Sequence, residues 1–462
     1  MPGHYSLSPF PAFLQMGLLW LLLLMLTACV SSQHIEQDPT IQLLAERAAK
    51  IEPQALPPLS RRDVQNTYER LAKSTNNDAL KAIALQRLAD LALEDKQAIL
   101  AGEFTDDSTE KNVNAAQQQN EAAARVEQEF AQDAEQRLEQ EITGSAIHQY
   151  ERLLTLYPDY VGNGKVMYQL ARAHELNGDL VKTLSVLTRL VKAYPNQPNL
   201  DEIQFRRGEI LFTFRDFEAA EKAYGSVLSY SEIGPFYERA MFKHGWSVFK
   251  QGATKRALKS YFSVLDRSFA GGRALADFSR SEQEFLEDTL RIVSLSFSYL
   301  KGKESVAEFF SVHGARNYEF QIYERLASLY LTQDRNIDAS ETLMSFVERY
   351  PQHRYAPLFT VRVIEIYKQT GRKDALLEAK ANLVMAYGVG AAFWQKHDPQ
   401  LFAQLRPQLK SNLDDLTRYY HAQAQQTKQL ADYRIAAHWY RSYVRSFPDD
   451  QQTPEKNMLL AE

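Results

Sequence analysis

Residues 167–195 read MYQLARAHELNGDLVKTLSVLTRLVKAYP, and their pattern decides the fold. Met167, Leu170, Ala171 and His174 recur at helical spacing and form the inner stripe of one helix. Gly178 ends that helix, because glycine accepts the left-handed φ of a C-terminal cap. Leu184, Leu187, Leu190 and Val191 form the apolar face of a second helix, and Pro195 stops it. A hairpin of this kind cannot bury both faces alone, and the sequence supplies neighbours. A step of 37 residues links Ala146, Thr183, Ala220 and Ala257. The same step links Tyr150, Leu187, Tyr224 and Tyr261, and again Leu153, Leu190, Val227 and Val264. A fourth column, Ala171, Gly208 and Gly245, is small, so the two helices of a hairpin can approach closely. Self-similarity at a fixed step of this size means stacked supersecondary units rather than one closed core.

The unit resembles the tetratricopeptide repeat, with Gly, an aromatic, Ala, Phe or Tyr, and Pro at set offsets. The expected fold is all-α: a right-handed solenoid of helical hairpins with a 37-residue period, an acidic insert and irregular repeats. The residues in excess of the roughly 34-residue standard are assigned to the loop after the second helix. Further copies are QFRRGEILFTFRDFEAAEKAYGSVL and MFKHGWSVFKQGATKRALKSYFSVL. Later the register is held by Ala327, Ala339, Leu343, Pro351 and Ile364, and then by Ala436, Tyr440 and Pro448.

The chain divides accordingly. Residues 1–28 read as a lipoprotein signal peptide, 29–60 as a tether and 61–94 as the first repeat-like helices. Residues 95–141 read as an insert, 142–267 as the regular array, 268–320 as an irregular repeat and 321–387 as a second array. Residues 388–462 read as a linker, placed at Gly388–Gln404, plus a further repeat. The first helix, ALKAIALQRLADLALED, finds its partner in SAIHQYERLLTLYP, so about 45 residues interrupt one hairpin. From Glu94 to Glu141 there are 13 acids and 4 bases, a net of −9 in a chain of net −5. Thr105–Asn114 is too polar to pack and is expected to be disordered. Ala115–Glu141 reads as a solvated helix, with a coiled-coil oligomerisation arm as the alternative. The last residues, NMLLAE, read as the start of another first helix, so further repeats are expected to follow.

Composition narrows the function. At 462 residues and 45% apolar content the chain can bury ample core. With 53 basic and 58 acidic residues it lacks the basic balance of a nucleic-acid binder. A single cysteine excludes an internal disulfide and a cysteine metal cluster. That cysteine ends the run Leu26-Thr27-Ala28-Cys29, which follows the apolar stretch Gly17–Leu26. The run resembles a bacterial lipobox, which implies lipid on Cys29 after cleavage. No Lys or Arg precedes the apolar stretch, a departure from that pattern. The alternative is a membrane anchor over Phe13–Val30, only just long enough to span. Val30 stands where lipoproteins retained at the inner membrane usually carry Asp, which by the same resemblance implies the outer membrane, facing the periplasm.

The stretches ALQRLADLALE, YPDYVGNGKVMYQLARAHE, FKHGWSVFKQG, LSFSYLKGKESVAEFF and LTRYYHAQAQQ resemble long tetratricopeptide lipoproteins of Gram-negative proteobacteria. Similarity to BamD-like and TolA-binding tetratricopeptide proteins is at the level of fold. The repeat array and the lipobox-like run together give the expectation of a lipid-anchored scaffold binding envelope proteins or peptides. The alternative is an oligomerised structural spacer, or an accessory subunit of a cell-envelope machine. No catalytic motif is present: there is no HExxH, GxSxG, GxGxxG or Walker loop. The histidines are scattered, and His174 and His244 fall on positions that normally pack. Carboxylates are expected on solvent faces. No enzyme activity, metal or cofactor is expected, and the expected partner is a protein or peptide, not nucleic acid. Register places Tyr168, Arg172, Phe205, Phe212, Phe242, Trp246 and Phe249 on the first-helix positions that line a groove. Rings there mark a binding surface, since Trp, Tyr and Arg dominate binding energy; the alternative is that they pack on a neighbouring repeat or on the insert.

Overall fold

The computed structural model describes residues 60–100, 143–230 and 233–462. The signal segment, Cys29, the tether up to residue 59 and insert residues 101–142 lie outside the described residues. Among the described residues, those up to Asn66 and those from Thr67 onward belong to separate units.

Helix α1 covers Arg61–Ser74 and α2 covers Asp78–Leu100. Residues 143–156 are helical (α3). Hairpins then follow: α4 and α5 (Asn163–Leu176, Leu180–Ala193), α6 and α7 (Leu200–Thr213, Phe217–Tyr230), α8 and α9 (Tyr237–Lys250, Thr254–Ser268). After short turns at Ala270–Gly272 and Leu275–Asp277 come α10 and α11 (Arg280–Ser298, Lys303–His313). Next are α12 and α13 (Glu319–Thr332, Asn336–Arg349) and α14 and α15 (Ala356–Gln369, Lys373–Tyr387). A turn at Ala392–Lys396 leads to α16, α17 and α18 (Pro399–Thr427, Leu430–Ser446, Thr453–Ala461). From Thr67 onward the described residues form an all-helical tetratricopeptide solenoid.

The interrupted hairpin closes as its residues demand. Leu85, Ala89 and Leu93 of α2 share one apolar cluster with Ala146, Tyr150 and Leu153 of α3. The Tyr150 hydroxyl donates to Asp90 at 2.6 Å and that of Tyr160 to Gln86 at 2.9 Å. In the next hairpin Met167, Leu170, Ala171 and His174 are buried, as are Thr183, Leu187 and Leu190 opposite. The core runs through three clusters along the chain rather than one centre. Each unit buries its faces only on its neighbours, as expected of a quasi-one-dimensional stack.

The columns acquire a physical reason. Gly208 and Gly245 stand opposite Tyr224 and Tyr261, whose rings lie 2.6 Å from where a Cβ would sit. Only hydrogen fits there. In the hairpin with Ala171 the opposing residue is the slimmer Leu187. Seven residues beyond Ala171, Gly208, Gly245, Ala327 and Ile364 the backbone turns left-handed: Gly178, Arg215, Gly252, Asp334 and Gly371 have φ of 76°, 62°, 80°, 56° and 68°. N–H groups just past the first helix fold back onto its last carbonyls there, as that of Gly178 onto the Glu175 carbonyl at 2.9 Å.

Two departures from the sequence reading stand out. The expected linker Gly388–Gln404 is shorter, because α16 begins at Pro399 and runs for 29 residues. Asp398 caps it by accepting from the Gln400 N–H at 2.8 Å, and proline is well placed in a first turn. Buried Leu401, Leu405, Leu409, Leu413 and Leu416 then hold one face inward and carry the helix through Pro407. Not every carboxylate lies on a solvent face either: Glu319 is 2% exposed, held by the Tyr350 hydroxyl at 2.8 Å and by Arg349 at 3.4 Å. Burial raises its pKa above the ordinary carboxylate range, against the pull of those partners.

Candidate functional site: the first-helix face

First helices of successive repeats are tied by a ladder of tyrosines, carboxylates and cations. Tyr168 on α4 is buried and its hydroxyl donates to Glu202 on α6. Burial, with that carboxylate as acceptor, pushes the phenol up to about 12. Burial also pushes Glu202 up, but hydrogen bonds from Tyr168 and Arg206 outweigh it and hold the carboxyl below its usual range. Arg206 spans both helices, 3.1 Å from Glu202 and 3.0 Å from Glu175. Arg172 is half-buried, 3.5 Å from Gln169. One repeat on, the Tyr224 hydroxyl donates to Glu209, and Lys243 on α8 reaches Glu209 at 3.0 Å.

The rings sit between these rungs. Phe205 is only 5% exposed, packed on Tyr224 and Phe236 at centroid distances of 5.8 and 5.3 Å. The Arg239 guanidinium lies 5.2 Å over it. Phe212 is half-buried against Phe217, with Lys243 at 5.5 Å over its face. Phe242, Trp246 and Phe249 are all half-buried and come together edge to face, at 6.5 Å and 5.8 Å. Two rings that register did not supply extend them: Phe285 lies 5.3 Å from Phe242, and Tyr299 lies 5.8 Å from Phe249. Both belong to the lengthened α10 and its end, outside the 37-residue step. Lys250 stands 5.4 Å over Trp246. The structure thus joins Phe242, Trp246 and Phe249 in one run, sets Phe205 and Phe212 beneath Arg239 and Lys243 of the same helix, and places Tyr168 and Arg172 two repeats away.

Arg206 and Lys243 are not among the residues that register places on this face. A signal existed: Tyr168 and Glu202, Glu209 and Lys243, and Phe205 and Arg239 are each 34 residues apart. That is one period less about one helical turn. His174 is 2% exposed, and His244 accepts or donates at 2.9 Å to Ser260. Burial holds both imidazoles below their ordinary pKa. Among the described residues no group of three or more His, Cys, Asp or Glu could hold a metal. Nor is any described helix long and apolar enough to cross a membrane.

A stack of hairpins joined through its first helices is the architecture of a protein-interaction scaffold of the tetratricopeptide class. The profile of the family described as "YfiO: Outer membrane lipoprotein" matches residues 123–226, and over that stretch the chain is similar to such lipoproteins. A search of the curated proteins gives no match. Among solved structures, the C-terminal part of a tetratricopeptide-repeat protein from Cytophaga hutchinsonii is 12% identical; it aligns over 63% of this chain and 98% of its own, with a TM-score of 0.26. A tetratricopeptide repeat protein from Parabacteroides merdae is 14% identical over 62% of this chain and 98% of its own, with a TM-score of 0.27. The TPR2AB domain of yeast Sti1, solved as a complex with pHSP90, is 9% identical over 64% of this chain and 97% of its own, with a TM-score of 0.25.

Proposed function

We propose that this chain is a lipid-anchored scaffold of the outer membrane, facing the periplasm, whose first-helix face takes an extended or helical segment of an envelope protein. The lipobox-like run ending at Cys29 supports the anchor, and the match to outer membrane lipoproteins over residues 123–226 supports the membrane. The observation that carries the binding reading is the aromatic run Phe285, Phe242, Trp246, Phe249 and Tyr299. Arg206 and Lys243 are already spent on carboxylates of their own chain. The rings are therefore what this face offers a partner, and central aromatics dominate such interfaces. Tyr299, at 68% exposed, is the open end of the run. No reacting group, metal or cofactor enters this reading, which is that of a binding protein and not an enzyme.

The test is Trp246→Ala in the full chain. The partner is first captured by the wild type from detergent-solubilised membranes. Its affinity for the variant should fall by at least ~2 kcal/mol, as at a central hot spot, while the melting temperature changes little. If Trp246 serves packing alone, the same change costs about 3–5 kcal/mol of stability and leaves partner affinity intact; that result overturns the proposal.

A further inference from the structure

Helix α17 turns a row of cations outward. Its roll is fixed by what it buries: Ala436, Trp439, Tyr440 and Tyr443 face inward. Trp439 stacks on Tyr420 of α16 at 6.2 Å, the Tyr440 hydroxyl meets the His421 imidazole at 2.8 Å, and the Tyr443 hydroxyl donates to Asp450 at 3.0 Å. Arg434, His438, Arg441 and Arg445 follow one another at steps of four, three and four residues. They therefore form one ridge on the side opposite the buried face. All four are exposed. At about 1.5 Å per residue the row is about 16 Å long.

The three arginines make no ion pair among the described residues. The one acid of α17, Asp432, accepts from the Thr427 hydroxyl off the ridge. Beyond the helix end Asp449 is exposed, and Asp450 is taken by Lys410. The row is not a property of the repeat. Counted from the column of Ala146, Thr183, Ala220 and Ala257, the same four places hold two lysines about Ala257, one about Ala220 and no cation about Ala339. Like charges three and four residues apart weaken a helix, so the row calls for an anionic partner. Leu430, Tyr433 and Ile435 flank it and are exposed, Leu430 by 67%.

We infer that this ridge rests on the surface of an anionic phospholipid bilayer, its guanidiniums meeting lipid phosphates while Leu430, Tyr433 and Ile435 enter the interface. Two observations favour a flat surface over an acidic polypeptide. The ridge is the line of α17 farthest from the core, so it offers a chain no groove, whereas a plane reaches all four cations at once. Aliphatic and tyrosine side chains beside arginine suit an interfacial helix, with apolar bodies at the acyl boundary and charged heads among the phosphates. The ridge belongs to a second helix, so it is distinct from the first-helix face and stands whether or not Cys29 carries lipid.

The test reconstitutes the full chain into vesicles of phosphatidylcholine, or of phosphatidylcholine and phosphatidylglycerol in equal parts, and reads hydroxyl-radical labelling by mass spectrometry. Any hold through Cys29 or the apolar residues 17–26 acts in both vesicles, so the comparison isolates the ridge. On the anionic vesicles, labelling of Leu430, Tyr433 and Ile435 should fall by about threefold or more, with Tyr299 of the first-helix face unchanged. It should recover in about 1 M salt, where screening is short-ranged. Arg434→Gln, Arg441→Gln and Arg445→Gln together should remove the protection at an unchanged melting temperature. Each arginine at such a surface is worth about fivefold in partition, and three about a hundredfold. Equal labelling on both vesicles, or a triple variant protected as well as the wild type, overturns the inference. So does protection by poly-glutamate but not by anionic vesicles, which assigns the ridge to an acidic protein. Protection that needs no vesicle and vanishes when residues 95–139 are deleted assigns it to the insert and likewise overturns the inference.

Discussion

Replacing Gly208 by alanine puts one methyl group into the tightest crossing of the array. The new Cβ would lie 2.6 Å from Cε1 and 2.8 Å from Cδ1 of Tyr224. That ring is fully buried and its hydroxyl is held by Glu209, so it cannot swing aside alone. One helix must shift, and overpacking of this kind costs about 1–3 kcal/mol. Alanine is the better helix former by roughly 0.5–1 kcal/mol, which offsets part of the loss. The net expectation is a destabilisation of about 1–2 kcal/mol. The first hairpin carries Ala89 with Tyr150, so a crossing can be built around a methyl group; at Gly208 the backbones have already closed past that point. The neighbouring unit shows the compensation, because Ala171 faces Leu187. In a double-mutant cycle, Gly208→Ala with Tyr224→Leu should therefore cost less than the two single changes summed, by about 1 kcal/mol. Urea unfolding followed by circular dichroism reads all four proteins, with equal slopes required, since repeat arrays can lose single-transition behaviour. A neutral or stabilising Gly208→Ala, or strict additivity, would refute the reasoning.

Other expectations follow from single features. Arg215 and Asp334 occupy left-handed positions filled by glycine elsewhere in the column, at φ of 62° and 56°; replacing either by Gly should stabilise by about 0.5–1 kcal/mol, seen as a raised urea midpoint. Burial lowers the pKa of His174, His244 and His353 from 6.5. The unfolded chain then binds more protons than the folded one, so stability should be full above about pH 6.5 and fall as pH drops through the depressed folded values. Replacing the three by Gln should flatten that part of the profile; an unchanged slope would exclude these residues as its source. Cys29→Ser should release the chain from the outer-membrane fraction of fractionated cells, and undiminished retention would remove the lipid anchor from the proposal.

The repeat could be read from one sequence because its signals are local. Helical spacing, a glycine at Gly178 and a proline at Pro195 each act within a turn or two, and the 37-residue step multiplies them. Burial of the Tyr150, Tyr224 and Tyr261 column follows from that step alone. Cys29 and the acid-rich insert are likewise facts of sequence, carried by motif and composition. What needed the tertiary structure was whatever depends on how far neighbouring helices stand from one another. The rungs from Glu209 to Lys243 and from Glu175 to Arg206 join side chains on different repeats, at spacings set by the stagger of the stack. Phe285 and Tyr299 joined the aromatic run because α10 is longer than its counterparts and breaks the period. Local periodicity determines which residues face inward; the offset between stacked helices, set by side-chain volume at each crossing, decides which of them meet.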